Sequence, residues 1–190
     1  MTRTRPTKRD LIVEEAARLF YERGTGVGVD TLTEEIGVAK MTLYKHFPAK
    51  ADLVAACLRH VDARYRERLA AGAADAVTPQ DRVLGVFDSL RSWFGTSTFR
   101  GCAFVNATIE LADPAHPAHA AVLEHKTRTR EWVEGLVADC GVADPPFVAR
   151  QIVQLMEGAI TTALVESDPE VAEVARATAR QVLSSAAQAG

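Results

Sequence analysis

The chain is poor in cysteine, in long apolar runs and in any excess of basic charge. Its three cysteines, Cys57, Cys102 and Cys140 among 190 residues, are too few and too scattered for a disulfide framework or a Cys-x-x-Cys metal knuckle. No stretch approaches the roughly 18 consecutive apolar residues that a membrane helix needs. The polar, basic start (Met1 to Asp10) leads into no apolar signal region, so the expectation is a cytoplasmic, reduced protein without a membrane span. The 22 Lys+Arg against 25 Asp+Glu, a formal net charge of −3, argue against a protein built to coat nucleic acid. No alternating strand pattern and no internal repeat is present. What the chain does have is 47% hydrophobic residues, enough for a full core in one or two domains.

Its charge is unevenly spread. Residues 1–50 hold nine Lys+Arg and seven Asp+Glu, a net of +2, whereas residues 51–190 hold 13 and 18, a net of −5. Arg3, Arg5, Lys8 and Arg9 crowd the first ten residues, and Lys40, Lys45 and Lys50 have no acidic residue between them. Such sets describe a solvated face as readily as a binding one.

Apolar spacing predicts an all-α protein of about nine helices. Ile12, Ala16, Leu19 and Phe20 mark a first helix near 7–23, closed by Gly24. A second, short helix is expected with Asp30 or Thr31 as its N-cap and Gly37 as its end. A third runs from about Ala39 to Phe47 and is stopped by Pro48. Leu53, Val54, Cys57, Leu58, Val61 and Tyr65 share a face of a longer helix from Lys50. Pro79 opens a fifth helix, a short one covers Cys102–Leu111, and a long one ends at Gly141. Of the last two, near 146–166 and 169–187, the first has a regular stripe: Val148, Ile152, Leu155, Met156, Ala159, Ile160, Ala163 and Leu164.

Residues 30–47 have helix-turn-helix form, two helices of under three turns joined through Ile36-Gly37-Val38-Ala39. Helices so short need support from outside. Leu32, Ile36, Val38, Leu43 and Phe47 would bracket them against the first helix. That leaves Lys40, Met41, Thr42, Tyr44, Lys45 and His46 on the other faces, a mixture of phosphate partners and groups able to read base edges. From spacing alone, an αα-corner in a larger bundle is the competing reading.

The run Gly37-Val38-Ala39-Lys40-Met41-Thr42-Leu43-Tyr44-Lys45-His46-Phe47-Pro48-Ala49-Lys50-Ala51-Asp52-Leu53, with Ala17-x-Leu19-Phe20-x-x-x-Gly24 before it, closely resembles the signature of the TetR family of bacterial transcription regulators. The likeness covers residues 9–54; beyond them it rests on length and helix order. It implies a DNA-binding domain over 1–50 and a ligand-binding and dimerisation domain over 51–190. By resemblance, Lys40, Met41, Thr42, Tyr44, Lys45 and His46 face DNA, Thr31 bonds a phosphate at a helix N-terminus, and Lys50 grips the backbone. Arg3 and Arg5 would follow a minor groove as an arm. The sequence departs from the family where Ala39 replaces a capping Ser or Thr and where Thr33 and Ile36 replace small Ala residues. These changes bear on the docking angle.

A recognition helix on one small domain makes too few contacts for a specific site, so a two-fold dimer on a palindromic double-stranded operator is expected. Gly158, Ala159 and Ala163 suit close helix approach, and the resemblance places the homodimer on the two final helices. Phe87, Trp93, Phe94, Phe104 and Trp132, with Asn106, Glu110 and Cys102, are candidates for an effector pocket, although such aromatics also serve as plain core. The resemblance implies a small effector that favours the DNA-incompetent state. Cys102, close to Arg100 and a helix start, is a candidate sensor of thiol reagents and electrophiles. Gly24-Thr25-Gly26-Val27-Gly28 follows a helix and is no dinucleotide loop. Asp113, His116 and His119 lie among prolines and lack a completing cluster, so neither metal nor cofactor is expected. A helical-bundle enzyme is the alternative of a different class.

Overall fold

The computed structural model describes residues 6–74 and 76–188. Its described elements are α1 (Lys8–Arg23), α2 (Val29–Ile36), α3 (Lys40–His46), α4 (Lys50–Ala73), α5 (Pro79–Phe94), α6 (Ala103–Glu110), α7 (Pro117–Ala138), α8 (Pro145–Glu166) and α9 (Val171–Gln188). The all-α expectation holds. Arg3 and Arg5 lie outside the described residues.

Two compact units emerge: residues up to Ala63 with Ala103–His125, and Arg64–Cys102 with the chain from Lys126 onward. Both α4 and α7 run through the change of unit.

In the first unit, α1 begins with a capping box. The Thr7 hydroxyl accepts from the Asp10 backbone N–H, and the Asp10 carboxylate accepts from the Thr7 N–H. α2 packs on α1 and on α3. The expected bracket is partly deep and partly not: Leu32, Leu43 and Phe47 are fully enclosed, whereas Ile36 and Val38 are half-buried. α2 starts earlier than the sequence suggested. Gly28, with no side-chain bond, is its N-cap, and Asp30 and Thr31 lie inside the first turn. An acidic residue there still faces the positive end of the helix dipole. Gly37 ends α2 in the left-handed conformation, φ 70° and ψ 43°. Ala39 caps α3 without a side-chain bond, as its methyl group requires.

Deeper in this unit, Asp62 Oδ1 and His125 Nδ1 are 2.8 Å apart, and the His125 ring lies flat on Phe104, with centroids 3.5 Å apart. This buried pair ties α4, α6 and α7 together. Cys57 donates to the Val13 carbonyl at 3.6 Å, and burial pushes its thiol pKa up, which leaves it a packing residue.

The second unit is built on α5, α8 and α9, which pack on one another. The α8 stripe is largely buried: Val148, Ile152, Met156, Ala159, Ile160 and Ala163 are enclosed. Leu155 is only half-buried, and Leu164 is 40% exposed. α4 and α5 meet backbone to backbone. A Cβ on Gly72 would fall 2.3 Å from the Gly85 carbonyl oxygen, and one on Gly85 would fall 2.1 Å from that of Gly72. Only glycine fits on either side. The Ser89 hydroxyl closes the crossing by donating to the Arg68 carbonyl at 2.9 Å.

Candidate nucleic-acid interface

The seven residues of α3 divide cleanly. Leu43 points into the core, with Phe47 just beyond the helix end, and the Arg9 guanidinium covers the Phe47 ring from 4.8 Å. Lys40, Met41, Tyr44 and Lys45 are exposed, and Thr42 and His46 are half-buried. Met41, Tyr44 and Lys45 follow the i, i+3, i+4 spacing of one helix face. Met41 is 79% exposed, the most open apolar side chain of α3.

Thr31 stands exposed in the first turn of α2. Lys40 does not stand alone: its ammonium bonds the Asp30 carboxylate at 2.7 Å. That hydrogen bond raises the Lys40 pKa. Lys50, at the start of α4, is half-buried, and its ammonium lies 5.9 Å from the centre of the Phe20 ring. Burial lowers its pKa, against the pull of the Glu110 charge. The arrangement is a short helix presenting cations, a hydroxyl, a phenol and a thioether outward from a rigid apolar anchor. Asp30 is not legible as a partner in the sequence, because it lies ten positions from Lys40, across the turn between two helices.

The chain matches the model of bacterial regulatory proteins, tetR family, over residues 12–57. It also matches the tetracyclin repressor-like C-terminal domain over residues 103–185. A TetR-family transcriptional regulator from Streptomyces coelicolor is 35% identical, with a TM-score of 0.85 over 94% of this chain and 95% of that one. This chain belongs to the TetR family. A TetR transcriptional regulator from Chloroflexus aurantiacus is similar at 26% identity, with a TM-score of 0.78 over 93% of this chain and 92% of that one. The HTH-type transcriptional regulator YjdC of Escherichia coli is 22% identical over 180 residues, 93% of each chain.

As a TetR-family protein it is a transcription regulator with a DNA-binding helix-turn-helix, not an enzyme. No described helix is long and apolar enough to cross a membrane. Asp113 and His116 accept backbone N–H groups of their own turn, and the His119 ring bonds the Leu111 carbonyl. Among the described residues no three metal-ligating side chains converge.

The effector candidates of this TetR-family chain fall in both units. In one, Trp93 packs edge-on against Phe99 at 4.9 Å and against Tyr65 at 5.9 Å, and Phe94 lies 5.0 Å from Phe99. Phe87 is enclosed and Trp132 half-buried. Cys102 is buried, with the Lys126 ammonium 3.8 Å from its sulfur and 2.5 Å from Glu157. In the other unit, Phe104 is taken up by His125. Asn106 and Glu110 line a small, partly open cleft of about 30 Å³, with Ala17, Phe20 and Tyr21 of α1 and Val54, Cys57, Leu58 and Val61 of α4. Sequence reasoning missed the partner of Glu110: its carboxylate is bonded to Thr25.

Proposed function

We propose that the protein is a homodimeric repressor acting in the cytoplasm, released from a palindromic operator by a small, largely apolar effector. The observation that carries this reading is the outward face of α3, where Met41, Tyr44 and Lys45 stand clear of the fold. In the major groove, Met41 and Thr42 would meet base edges, while Lys45, Tyr44 and His46 would meet phosphates or base edges. Thr31, Lys40 and Lys50 would hold the backbone on either side. Residues 1–50 serve as reader, and 51–190 as the sensing and dimerising part.

The dimer is supported by what α8 and α9 leave uncovered. On α8, Phe147, Gln151, Gln154, Gly158, Thr161, Thr162 and Val165 share the face opposite the core stripe, and none is charged. On α9, Val174, Ala177, Thr178, Gln181, Ser184, Ser185 and Gln188 do the same. Of the small residues in α8, Ala159 and Ala163 are used inside the chain, and Gly158 faces out. Two long helices with uncharged outer faces suit a bundle with their copies.

The test is selection of genomic fragments by the purified protein. Enrichment of paired, inverted half-sites, lost in Tyr44→Ala, supports the reading; enrichment of nothing sinks it. An effector is expected to lie near the Trp93 cluster or the Asn106 cleft, and its addition should release the operator.

A second trigger draws on the ammonium of Lys126, which lies between the Glu157 carboxylate and the Cys102 sulfur. A cation next to a thiol favours the thiolate, the reactive form toward electrophiles. Cys102→Ser should then abolish release by thiol reagents, and a variant that still responds rejects this trigger.

A further inference from the structure

Glu110 closes α6, and its Oε2 accepts two hydrogen bonds from one residue 85 positions away: the Thr25 backbone N–H at 2.5 Å and the Thr25 hydroxyl at 2.7 Å. Thr25 is the second residue of the turn joining α1 to α2, and it is buried. Gly24, just before it, has φ +84°, and a Cβ there would lie 3.1 Å from the other Glu110 oxygen. Turn and carboxylate are fitted to each other.

The rest of that turn is soft. Gly26 and Gly28 have open space around them, and α2 begins without a side-chain cap. Beside the joint, α1, α4 and α6 line a small, partly open cleft. Within the turn the Val27 N–H also donates to the Gly24 carbonyl at 3.4 Å, and an Arg23–Glu35 ion pair at 2.9 Å joins α1 to α2. The Glu110 bonds are the ones that tie the turn to α6, and α3 follows α2 through three residues. We propose that Glu110 is a positioning residue for operator reading: its bonds to Thr25 set the angle at which α2 and α3 are presented. This rests on the dimeric, palindrome-reading function above, because only paired heads convert an angle into a spacing.

A charged acceptor with two donors is worth more than a neutral one. Its loss in Glu110→Ala should therefore weaken binding to the wild-type operator about tenfold. The decisive measurement is selection from a random duplex library by the full-length wild type, Glu110→Ala, Glu110→Gln, Thr25→Val and Thr25→Ser, alongside thermal melts of each. Glu110→Ala should keep the wild-type half-site but broaden the distance between half-sites. Glu110→Gln and Thr25→Ser, which keep an acceptor and both donors, should restore the narrow spacing. Thr25→Val, which keeps only the backbone bond, should fall between them, and it carries the test if Glu110→Ala does not fold. An unchanged spacing distribution in Glu110→Ala and Thr25→Val, with affinity following thermal stability alone, would overturn the proposal. A wild type that enriches single half-sites overturns the dimer reading and this proposal with it; paired half-sites with unaltered spacing overturn this proposal only.

Discussion

Two uncovered surfaces of the molecule expose apolar side chains to nearly the same degree, yet they differ in everything around them. On α3, Met41 is 79% exposed and sits among Lys40, Tyr44 and Lys45; on α8, Val165 is 78% exposed and shares its face with Gly158, Gln154 and Thr161. Exposure alone makes neither of them an interaction site. The company each keeps separates them: cations beside a short apolar knob suit a polyanion with a groove, whereas an uncharged face with a glycine suits another helix.

Breaking the uncharged face should have the largest effect. Gly158→Glu puts a charge into the middle of the α8 surface, and sedimentation should then show a monomer. Operator affinity should drop by about a hundredfold or more, the avidity that two joined heads lend each other. A variant that remains a dimer would remove α8 from the interface. Leu43→Ala tests how α3 is held. This seven-residue helix hangs on Leu43 and Phe47, and truncating an enclosed leucine costs about 2–5 kcal/mol. Chemical denaturation should show that loss, and an unaltered midpoint would mean that α3 is fastened elsewhere. Lys45→Ala leaves the fold intact and should weaken operator binding about tenfold, the loss of one charge-assisted contact, as read by fragment retardation.

The smallest effect lies at the start of α1. Hydrogen bonds from Thr7 hold the Asp10 carboxyl below its ordinary pKa, so its capping contribution is complete above the ordinary carboxylate range and is lost as pH falls through the lowered value. Wild type and Asp10→Asn should therefore differ in thermal midpoint near neutral pH and converge in acid; a constant gap would show that the carboxylate charge does not matter.

Where structure follows from neighbours in sequence, it was legible. The stripe from Val148 to Ala163 named the buried side of α8, and Gly24 and Gly37 marked the ends of α1 and α2 correctly. The spacing places the start of α2 two or three positions too late, because Asp30 and Thr31 are both good caps and good first-turn residues. The outward set on α3 was also readable, since Leu43 and Phe47 leave few other ways to orient so short a helix. Pairings across the chain were not. Asp62 with His125 and Thr25 with Glu110 span 63 and 85 residues, and no periodicity reaches that far. The aromatics announced clusters, but not that Phe104 would stack on a histidine while Trp93 packed on Phe99.

The bond between Lys40 and Asp30 means that the reading head carries a counter-ion of its own. Cations that meet DNA normally release small ions from its atmosphere, and the entropy of that release drives much of the binding. Lys40 would instead trade a tethered carboxylate for a phosphate, which frees an aspartate that cannot diffuse away. The head should therefore respond to added salt as though it had one positive charge fewer than its surface displays. Asp30→Asn should restore the missing ion, at the expense of a stickier grip on DNA of any sequence.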